Sequence, residues 1–492
     1  MLAMQLAALA EDPPGAAEAL ELVTAFDEAL ANGLGRLDER GTQAIIGLAG
    51  AVAATPLGDR AGEAAEKVAA GSVAGEHLTA LAGARAALLG AVHDALLTHL
   101  DDSLGRTRAP WPPAPAEGSA AGAGPTAQAA AGPGSTAQTA AAVGGAGAAM
   151  GNLLVGCRSW LHELAITGWR GVGHDLASAA DQAIEAVLAE PGLRRLAVLT
   201  DGLAGELRAS SPVAAMEKVP VRRWADLWTR AVLLSEPDWL GTPEPAELVS
   251  GRLLILGVDV HEHATVVQAQ VHAVLESAGG EARVVRAAVS AGKVDTIVGP
   301  AIWSLLEGYP VLTGALAGGR SVEITDMPLL GGGDLVWQED RAAPQGAADP
   351  FATARVMLAG ALAPATPPLD RHPARIAEPV FLEGYTTAKT GDRISLDGHD
   401  LAVAVDRLPS SGPLTPKLMA TSTACVGLLR WDAGRWLLQP LAIQATVKKQ
   451  PVEEHTGAWA QGPTDPKVVR SLARAGDAVT VLRERAGRLL RR

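Results

Sequence analysis

The spacing of apolar residues changes near residue 253, and this change limits what the chain can fold into. From about residue 16 to 100, and again from 152 to 234, apolar side chains recur at the spacing of amphipathic helices. Residues 253–260 and 265–272 instead alternate with a period of two and are rich in valine and leucine, which is typical of strands. The sequence therefore predicts an α+β multidomain chain in which helices come first and an antiparallel β-rich region follows.

A charge-poor tract divides the helical part of the chain. Between residues 109 and 149 only Glu117 is charged, and the sequence of residues 125–131 nearly repeats at 135–141. A tract of glycine, alanine, proline and serine is typical of a flexible linker. We therefore expect residues 1–108 to form an acidic helical bundle that is tethered to the rest of the protein and moves independently of it.

The remaining chain is predicted to contain three further units. Residues 150–245 have the spacing of a central helical domain, residues 250–450 that of a β-rich domain, and residues 464–492 that of an amphipathic helix with a basic end. The clearest hairpin joins Trp431 to Trp436, because the intervening glycine can take a positive φ and the indoles can pack across the strands. Docking of the terminal helix onto the body is the simpler prediction, and binding of a partner is the alternative.

The composition excludes several classes of protein. With 48% hydrophobic and 19% charged residues the chain can bury normal cores, which excludes wholesale disorder. The net charge of −13 disfavours nucleic-acid binding, since an acidic body repels a phosphate backbone. Cys157 and Cys425 lie far apart and predict no disulfide framework, and no apolar run reaches membrane-spanning length. We expect a cytoplasmic protein without a membrane segment.

Residues 219–234 form the most informative segment of the chain. Trp224 and Trp228 stand four residues apart on one helical face, and arginine and aspartate alternate along another face. The simpler interpretation is a helix whose tryptophans are buried in a core. The alternative is a contact surface for a protein partner, since tryptophan and arginine dominate such surfaces. The residues of that candidate interaction surface are Arg222, Arg223, Trp224, Asp226, Trp228 and Arg230.

The candidate reactive groups lie in the β-rich region. His261 and His263, with His272 on the next strand, could supply zinc ligands, although a solvated hairpin loop explains the same spacing without a metal. Glycine loops for nucleotides, a serine-nucleophile motif and a helical zinc-protease motif are all incomplete. We therefore expect no cofactor and no catalysis, because the reactive side chains are too isolated in the sequence to cooperate. The alternative is an enzyme of another type, with candidate residues Asp259, His261, Glu262, His263 and Asp334.

Residues 219–234 also carry a resemblance to other proteins. The phrase Val-Pro-Val-Arg-Arg-Trp-Ala-Asp-Leu-Trp-Thr-Arg-Ala-Val-Leu-Leu resembles a segment of uncharacterised actinobacterial proteins encoded beside a SWIM zinc-finger protein, a MoxR-type AAA+ ATPase and a von Willebrand A-domain protein. The chain has no SWIM cysteine pattern, Walker motif or metal-adhesion motif of its own. The resemblance therefore implies a non-catalytic accessory or scaffold protein, whose protein partner would be one of those three.

Overall fold

The computed structural model describes residues 2–111, 136–236, 246–263, 265–371, 374–432, 434–475 and 480–481. About 47% of the chain is helical and about 25% lies in strands, with the helices concentrated in the N-terminal half and the strands in the C-terminal half. The predicted α+β class, with helices before strands, is confirmed at this level.

The helical half is built from amphipathic helices of very different lengths. They are α1 (Ala3–Leu9), α2 (Ala16–Asn32), α3 (Glu39–Ala51), α4 (Gly58–Ala69), α5 (Gly75–Leu104), α6 (Thr136–Thr167), α7 (His174–Ser178), α8 (Asp181–Leu188), α9 (Arg194–Ser210) and α10 (Val221–Leu234). In α2, Val23, Phe26 and Leu30 recur at helical spacing and are fully buried. Helix α10 begins directly after Pro220, whose fixed φ suits the start of a helix.

Helices on both sides of the predicted linker share one hydrophobic core. Phe26 and Leu81 belong to the same buried cluster as Trp160 of α6. The two segments also meet through their backbones, since a Cβ on Gly168 would lie 2.3 Å from the backbone nitrogen of Gly33. The predicted independent movement of an N-terminal unit is therefore wrong. Helices α6 and α10 pack on α2 and α5, so the first helices share their core with the helices that follow the tract.

Helix α6 begins inside the tract that was predicted to be a linker. Because it spans Thr136–Thr167, residues 136–149 are helical, which corrects the predicted linker of residues 109–149. Alanine has the highest intrinsic helix propensity, and this stretch is rich in it, although its apolar positions give no amphipathic pattern. Residues 112–135 of the predicted linker lie outside the described residues.

The first sheet of the strand-rich half closes on itself. Its strands are β1 (Glu247–Glu262), β2 (Val266–Ser277), β3 (Ala282–Gly292), β4 (Arg320–Leu329), β5 (Asp334–Leu335) and β6 (Ala342–Ala347). Strand β1 pairs with both β2 and β4, and β5 joins β4 to β3, so these five strands form a ring with β6 added outside β4. Two helices that the period-two analysis did not predict, α11 (Pro310–Gly318) and α12 (Pro350–Met357), pack against this sheet.

The second sheet contains the predicted tryptophan hairpin. Its strands are β7 (Ile376–Glu383), β8 (Thr386–Thr387), β9 (Arg393–Leu396), β10 (His399–Val403), β11 (Ser422–Asp432), β12 (Arg435–Val447) and β13 (Gln450–His455). Trp431 pairs with Trp436 across β11 and β12, with ring centroids 5.3 Å apart, and Gly434 has φ +75°. The hairpin is confirmed. The region is mainly antiparallel, but β3 pairs with β5 and β10 with β12 in parallel, so both sheets are mixed.

The helical half packs directly on the second sheet. Leu9 of α1 and Leu96 and Leu100 of α5 share a buried cluster with Val380 and Leu438 of the sheet. Within the described ranges α5 is the one helix long and apolar enough to cross a membrane, yet 67% of its most apolar window is buried inside the fold. That degree of burial is typical of a core helix. The two remaining helices are α13 (Pro416–Met419) and α14 (Pro466–Ala475), the latter covering part of the predicted terminal helix at 464–492.

Candidate functional site

The tryptophans of α10 lie in the helical core. Trp224 and Trp228 are both fully buried, and the Trp228 indole Nε1 donates a hydrogen bond to the Leu161 carbonyl at 2.9 Å. The Trp224 Nε1 donates to the Glu206 carboxylate at 2.9 Å, and its ring meets Trp169 edge-on at 6.4 Å. The simpler interpretation of this helix, a buried tryptophan face, fits the structure. The alternative that places both tryptophans on a contact surface is wrong, because neither ring is exposed.

Asp226 is also buried, within a group of charges that joins three helices. The Arg85 guanidinium of α5 contacts Asp226 at 2.8 Å and Asp27 of α2 at 2.6 Å, and it is completely buried. The Asp27 carboxylate accepts a second ion pair from Arg222 at 2.9 Å. Burial acts to lower the pKa of Arg85, but the two carboxylates outweigh it and raise that pKa. Asp226 therefore links α10 to α5 inside the core, and only 4% of it is exposed.

Sequence reasoning missed Arg85, although a signal for it is present. Leu78, Leu81, Arg85 and Leu89 follow one helical face of α5, so the arginine interrupts an otherwise apolar stripe. A charge at such a position is almost never fully buried unless it is paired. The signal predicts that partner carboxylates exist, but not that they come from α2 and α10.

The polar face of α10 lines a cleft between the helical and strand-rich halves. The cavity has a volume of about 740 Å³, and its other wall comes from strands β2, β3 and β5 and from Thr366, Pro367, Asp370 and Arg375. Five arginines line it, and we call it the arginine cleft: Arg222, Arg223, Arg230, Arg286 and Arg375. The three arginines predicted for an interaction surface thus share one wall, and the strand-rich half supplies two more.

Pairing leaves two of these arginines without a carboxylate. Arg222 binds Asp27, Arg223 binds Glu206 at 2.8 Å, and Arg286 binds Asp334 at 2.8 Å. The other two aspartates of the cleft also form ion pairs, Asp226 with Arg85 and Asp370 with Arg195. Of the five cleft arginines, Arg230 and Arg375 are the two that form no ion pair within the described ranges.

The charge of Arg230 is poorly compensated where it lies. Burial lowers the pKa of the Arg230 guanidinium, and the nearby positive charges of Arg195 and Arg375 lower it further, against the opposing effect of Asp226 and Asp370. A group in this situation gains stability when an anion approaches. The cleft therefore has a net attraction for negative charge in a chain that is acidic overall.

A smaller pocket continues from the cleft. Its volume is about 110 Å³, and it shares Gln270, Arg286, Thr366 and Arg375 with the cleft. We call it the inner pocket, and its other titratable lining groups are His93, His261, His272, Glu378 and Arg430. The expectation that the reactive side chains are too isolated to cooperate is thus wrong. Strand pairing and the packing of α5 bring three histidines and a carboxylate to one place.

His261, which is partly exposed, pairs with the buried Asp259 at the wall of this pocket. Its Nε2 lies 3.1 Å from the Asp259 Oδ2, and the same carboxylate accepts hydrogen bonds from Arg430 at 3.0 Å and Gln439 at 2.7 Å. Burial by itself would raise the pKa of Asp259, but these contacts hold it well below its usual range. Asp259 therefore stays ionised and orients the imidazole of His261.

His272 of β2 is buried beside this pair without hydrogen-bond partners. Its side chain is 1% exposed, and within the part of the chain that the structure describes neither ring nitrogen has a partner. Burial, reinforced by the charge of Arg286, lowers the pKa of His272 to about 3. The ring is therefore neutral at neutral pH, with one nitrogen that donates and one that accepts.

The other residues predicted for metal binding or catalysis do not join this cluster. His263 is exposed in the hairpin loop after β1, and Glu262 binds Lys293 at 2.9 Å. Asp334 lies in the outer cleft, where it pairs with Arg286. Among the described residues no group of three or more histidine, cysteine, aspartate or glutamate side chains could hold a metal ion. His261, His263 and His272 therefore do not form the zinc site that their spacing allowed.

The chain was compared with family models, with curated proteins and with solved structures, and none of the three comparisons finds a match.

Proposed function

We propose that this protein binds a small anionic ligand in the arginine cleft, and that the ligand bridges its helical and strand-rich halves. The observation that carries the proposal is that Arg230 and Arg375 line the same cleft and have no carboxylate partner among the described residues. Arginine is suited to this role because its planar guanidinium can bind a carboxylate or phosphate group through two parallel hydrogen bonds.

The size and setting of the cleft favour a small molecule over a polymer. A volume of about 740 Å³ lies within the range of small-molecule sites, which run from roughly 300 to 1,000 Å³. The net charge of −13 repels an extended polyanion at long range, whereas a cleft lined by one sign of charge concentrates small anions locally. A nucleic acid is therefore a poor fit, as the composition also predicts.

A ligand in the cleft would contact both halves of the protein, because the cleft lies between them. Arg230 belongs to the helical half, and Arg375 belongs to the strand-rich half. An anion held by both arginines adds a contact between halves that already share a core through α1 and α5. Binding should therefore raise the stability of the whole molecule by mass action rather than that of one half.

Titration calorimetry with inorganic phosphate, pyrophosphate and citrate tests this proposal. We expect at least one of these anions to bind with a Kd below about 1 mM, and Arg230→Gln and Arg375→Gln each to weaken it about tenfold or more. Arg393→Gln is the matched control, because this exposed arginine lies on β9 and pairs with Asp400. Failure of all three anions to bind, or equal weakening by the control, would contradict the proposal.

An enzyme that acts on the bound ligand is the second candidate, and the contact between Asp259 and His261 favours it. An ionised, buried carboxylate that orients a histidine beside a pocket is the arrangement of a general base. We expect such an enzyme to hydrolyse an aryl phosphate or aryl carboxylate ester, and His261→Ala to abolish the turnover. Turnover that survives this substitution, or a purified protein inactive on both ester classes, would count against catalysis.

An accessory role in a protein assembly stays a proposal based on the resemblance of residues 219–234. The partner would be a MoxR-type AAA+ ATPase, a von Willebrand A-domain protein or a SWIM zinc-finger protein, in the cytoplasm. Because Trp224 and Trp228 are buried, such a partner would have to contact other surfaces. Affinity purification from the native host tests this role, and recovery of the protein with no stable partner would contradict it.

A further inference from the structure

The arginine cleft and the inner pocket adjoin at four residues that line both of them. We call these residues the neck: Gln270, Arg286, Thr366 and Arg375. The inner pocket, at about 110 Å³, has the volume of roughly four water molecules, so it holds one compact group and not a whole metabolite. The cleft, at about 740 Å³, has room for the remainder of a small molecule. A ligand in the cleft can therefore extend one end group past the neck into the inner pocket.

The inner pocket offers hydrogen-bond donors that the described part of the protein does not use. Gln270, Thr366 and Arg375 form no side-chain hydrogen bond to another described residue. The one carboxylate in the lining of the pocket, Glu378, is bound by Arg108 at 2.9 Å. An oxyanion in this pocket therefore meets an amide, a hydroxyl and a guanidinium that can donate to it, and the one nearby carboxylate is already neutralised.

The charges that line the cleft and the inner pocket leave an excess of two positive charges when the histidines are neutral. Arg230 and Arg375, which form no ion pair within the described ranges, account for this excess. Every other arginine, aspartate and glutamate of the two linings has a partner of opposite charge. The pairs are Arg222 with Asp27, Arg223 with Glu206, Arg286 with Asp334, Arg430 with Asp259, Asp226 with Arg85, Asp370 with Arg195 and Glu378 with Arg108. A ligand with two negative charges neutralises the excess, whereas a ligand with one leaves an arginine uncompensated.

Arg375 is the residue that can contact an anionic group in each cavity. It lines both of them, and its charge acts on another arginine in each one. In the cleft, burial lowers the pKa of Arg230, and the charge of Arg375 lowers it further. In the inner pocket, burial lowers the pKa of Arg430 against the opposing effect of Asp259. The charges of Arg407 and Arg375 lower that pKa further. A guanidinium has five N–H donors in a planar fork, so Arg375 can bind one oxyanion on each side.

We propose that the ligand is a small dianion with an acidic group at each end, one between Arg230 and Arg375 in the cleft and the other in the inner pocket. Gln270 and Thr366 donate hydrogen bonds to the inner group, which Arg375 also contacts. This inference rests on the proposed function, and it narrows the ligand from any small anion to a molecule with two separated acidic groups. Those groups are carboxylates or phosphates, since both accept two parallel hydrogen bonds from a guanidinium.

Calorimetric titration of the full chain with two series of linear diacids tests the inference. One series is the dicarboxylates from malonate to adipate, and the other is the bisphosphonates with the same carbon spacers. The control for each diacid is a monoacid of matched length, a monomethyl ester or an alkylphosphonate. We expect the best diacid to bind about tenfold or more tightly than its monoacid, because the monoacid leaves one arginine uncompensated. The series that binds more tightly identifies the acidic groups as carboxylates or as phosphates, and either identity supports the inference.

Substitutions in the neck separate the inner acidic group from the outer one. Gln270→Met and Thr366→Val each remove a donor with little change in volume, and together they should reduce the preference for the diacid to less than about threefold. Each single variant should reduce the preference by part of that amount, so the test does not depend on the folding of the double variant. The control Arg393→Gln, at an exposed arginine paired with Asp400, should leave the preference unchanged.

Two results would overturn the inference: a monoacid that binds as tightly as its diacid, or a preference that survives both neck substitutions. If citrate or pyrophosphate binds and Arg230→Gln weakens it, while no linear diacid is preferred to its monoacid, this inference fails and the proposed function stands. Binding of none of these anions contradicts both.

Discussion

Replacing Arg85 with methionine removes the cation at the centre of the helical core. The Arg85 guanidinium makes two hydrogen bonds to Asp27, at 2.6 and 3.0 Å, and an ion pair with Asp226 at 2.8 Å. In the variant Asp27 keeps its ion pair with Arg222, whereas Asp226 loses its cation. Methionine keeps a flexible apolar stem but lacks the guanidinium, so the variant loses the charge and leaves a small space where the guanidinium lay.

The expected loss of unfolding free energy depends on how the core accommodates the Asp226 carboxylate without its cation. Breaking a buried ion pair by removing one partner costs about 3–5 kcal/mol. Protonation sets an upper limit, because neutralising a carboxylic acid at pH 7 against an unfolded pKa near 4 costs about 4 kcal/mol, at about 1.36 kcal/mol per unit. We therefore expect Arg85→Met to lower the free energy of unfolding by about 3–4 kcal/mol at pH 7.

The loss of stability caused by Arg85→Met should be smaller at acid pH. In the variant the folded state binds more protons than the unfolded chain, since its carboxylates are more easily protonated without their cation. Stability then rises as pH falls, so the deficit relative to the wild type should narrow between about pH 7 and pH 5. The triple variant Arg85→Met/Asp27→Asn/Asp226→Asn, which removes the charges together, should recover at least half of the loss.

Urea denaturation followed by tryptophan fluorescence measures these differences. Trp224 and Trp228 report on the same core. Arg40→Met is the control, because Arg40 is exposed, and it should change stability by less than about 0.5 kcal/mol. A loss below about 1 kcal/mol for Arg85→Met, or a deficit that does not narrow in acid, would show that the buried charges do not organise this core.

Two further substitutions test the fold and the inner pocket. Gly168→Ala should destabilise the protein by more than about 2 kcal/mol in thermal melts, because Gly168 has φ +75° and a Cβ there would lie 2.3 Å from Gly33. Gly192→Ala is the control, since a Cβ at Gly192 meets no atom within 4 Å, and it should change stability by under about 0.5 kcal/mol. Because the pKa of His272 is about 3, the folded state binds fewer protons than the unfolded chain below about pH 6.5. The free energy of unfolding of the ligand-free protein should therefore fall in acid, by up to about 1.4 kcal/mol per pH unit. His272→Leu should remove that part of the acid sensitivity, and an unchanged pH profile of unfolding would contradict the buried neutral state.

Local patterns predicted the secondary structure where one signal dominates. The alternation at 253–260 lies within β1, and the two tryptophans flanking a glycine became the β11–β12 hairpin. The helical spacing of residues 219–234 correctly indicated a helix with a buried tryptophan face. These features depend on neighbours within a few residues. The prediction of a flexible linker over the low-complexity tract was wrong at residues 136–149, because composition alone does not indicate where a helix such as α6 begins.

The site could not be predicted in the same way, because its parts are distant in sequence. Arg230, Arg286 and Arg375 come from a helix, a strand and a loop, and each one alone resembles an ordinary surface arginine. His93 and His272 lie far apart in the sequence, and the packing of α5 on the strand-rich half brings them to one pocket. A charge inside an apolar run, as at Arg430 in β11 and at Arg85 in α5, is a local signal of burial.

The sequence by itself determined the order of helices and strands, the acidic balance of the chain and the hairpin at its strand-rich end, since these follow from the spacing and chemistry of adjacent residues. Only the tertiary structure decided that the helices on both sides of the low-complexity tract share a core. It also decided that two arginines, which have no ion pair within the described part of the chain, line one cleft from two halves. The physical reason is that burial and charge pairing depend on which surfaces meet, and pairings such as Asp27 with Arg85 and Asp259 with Arg430 join residues that no local pattern connects.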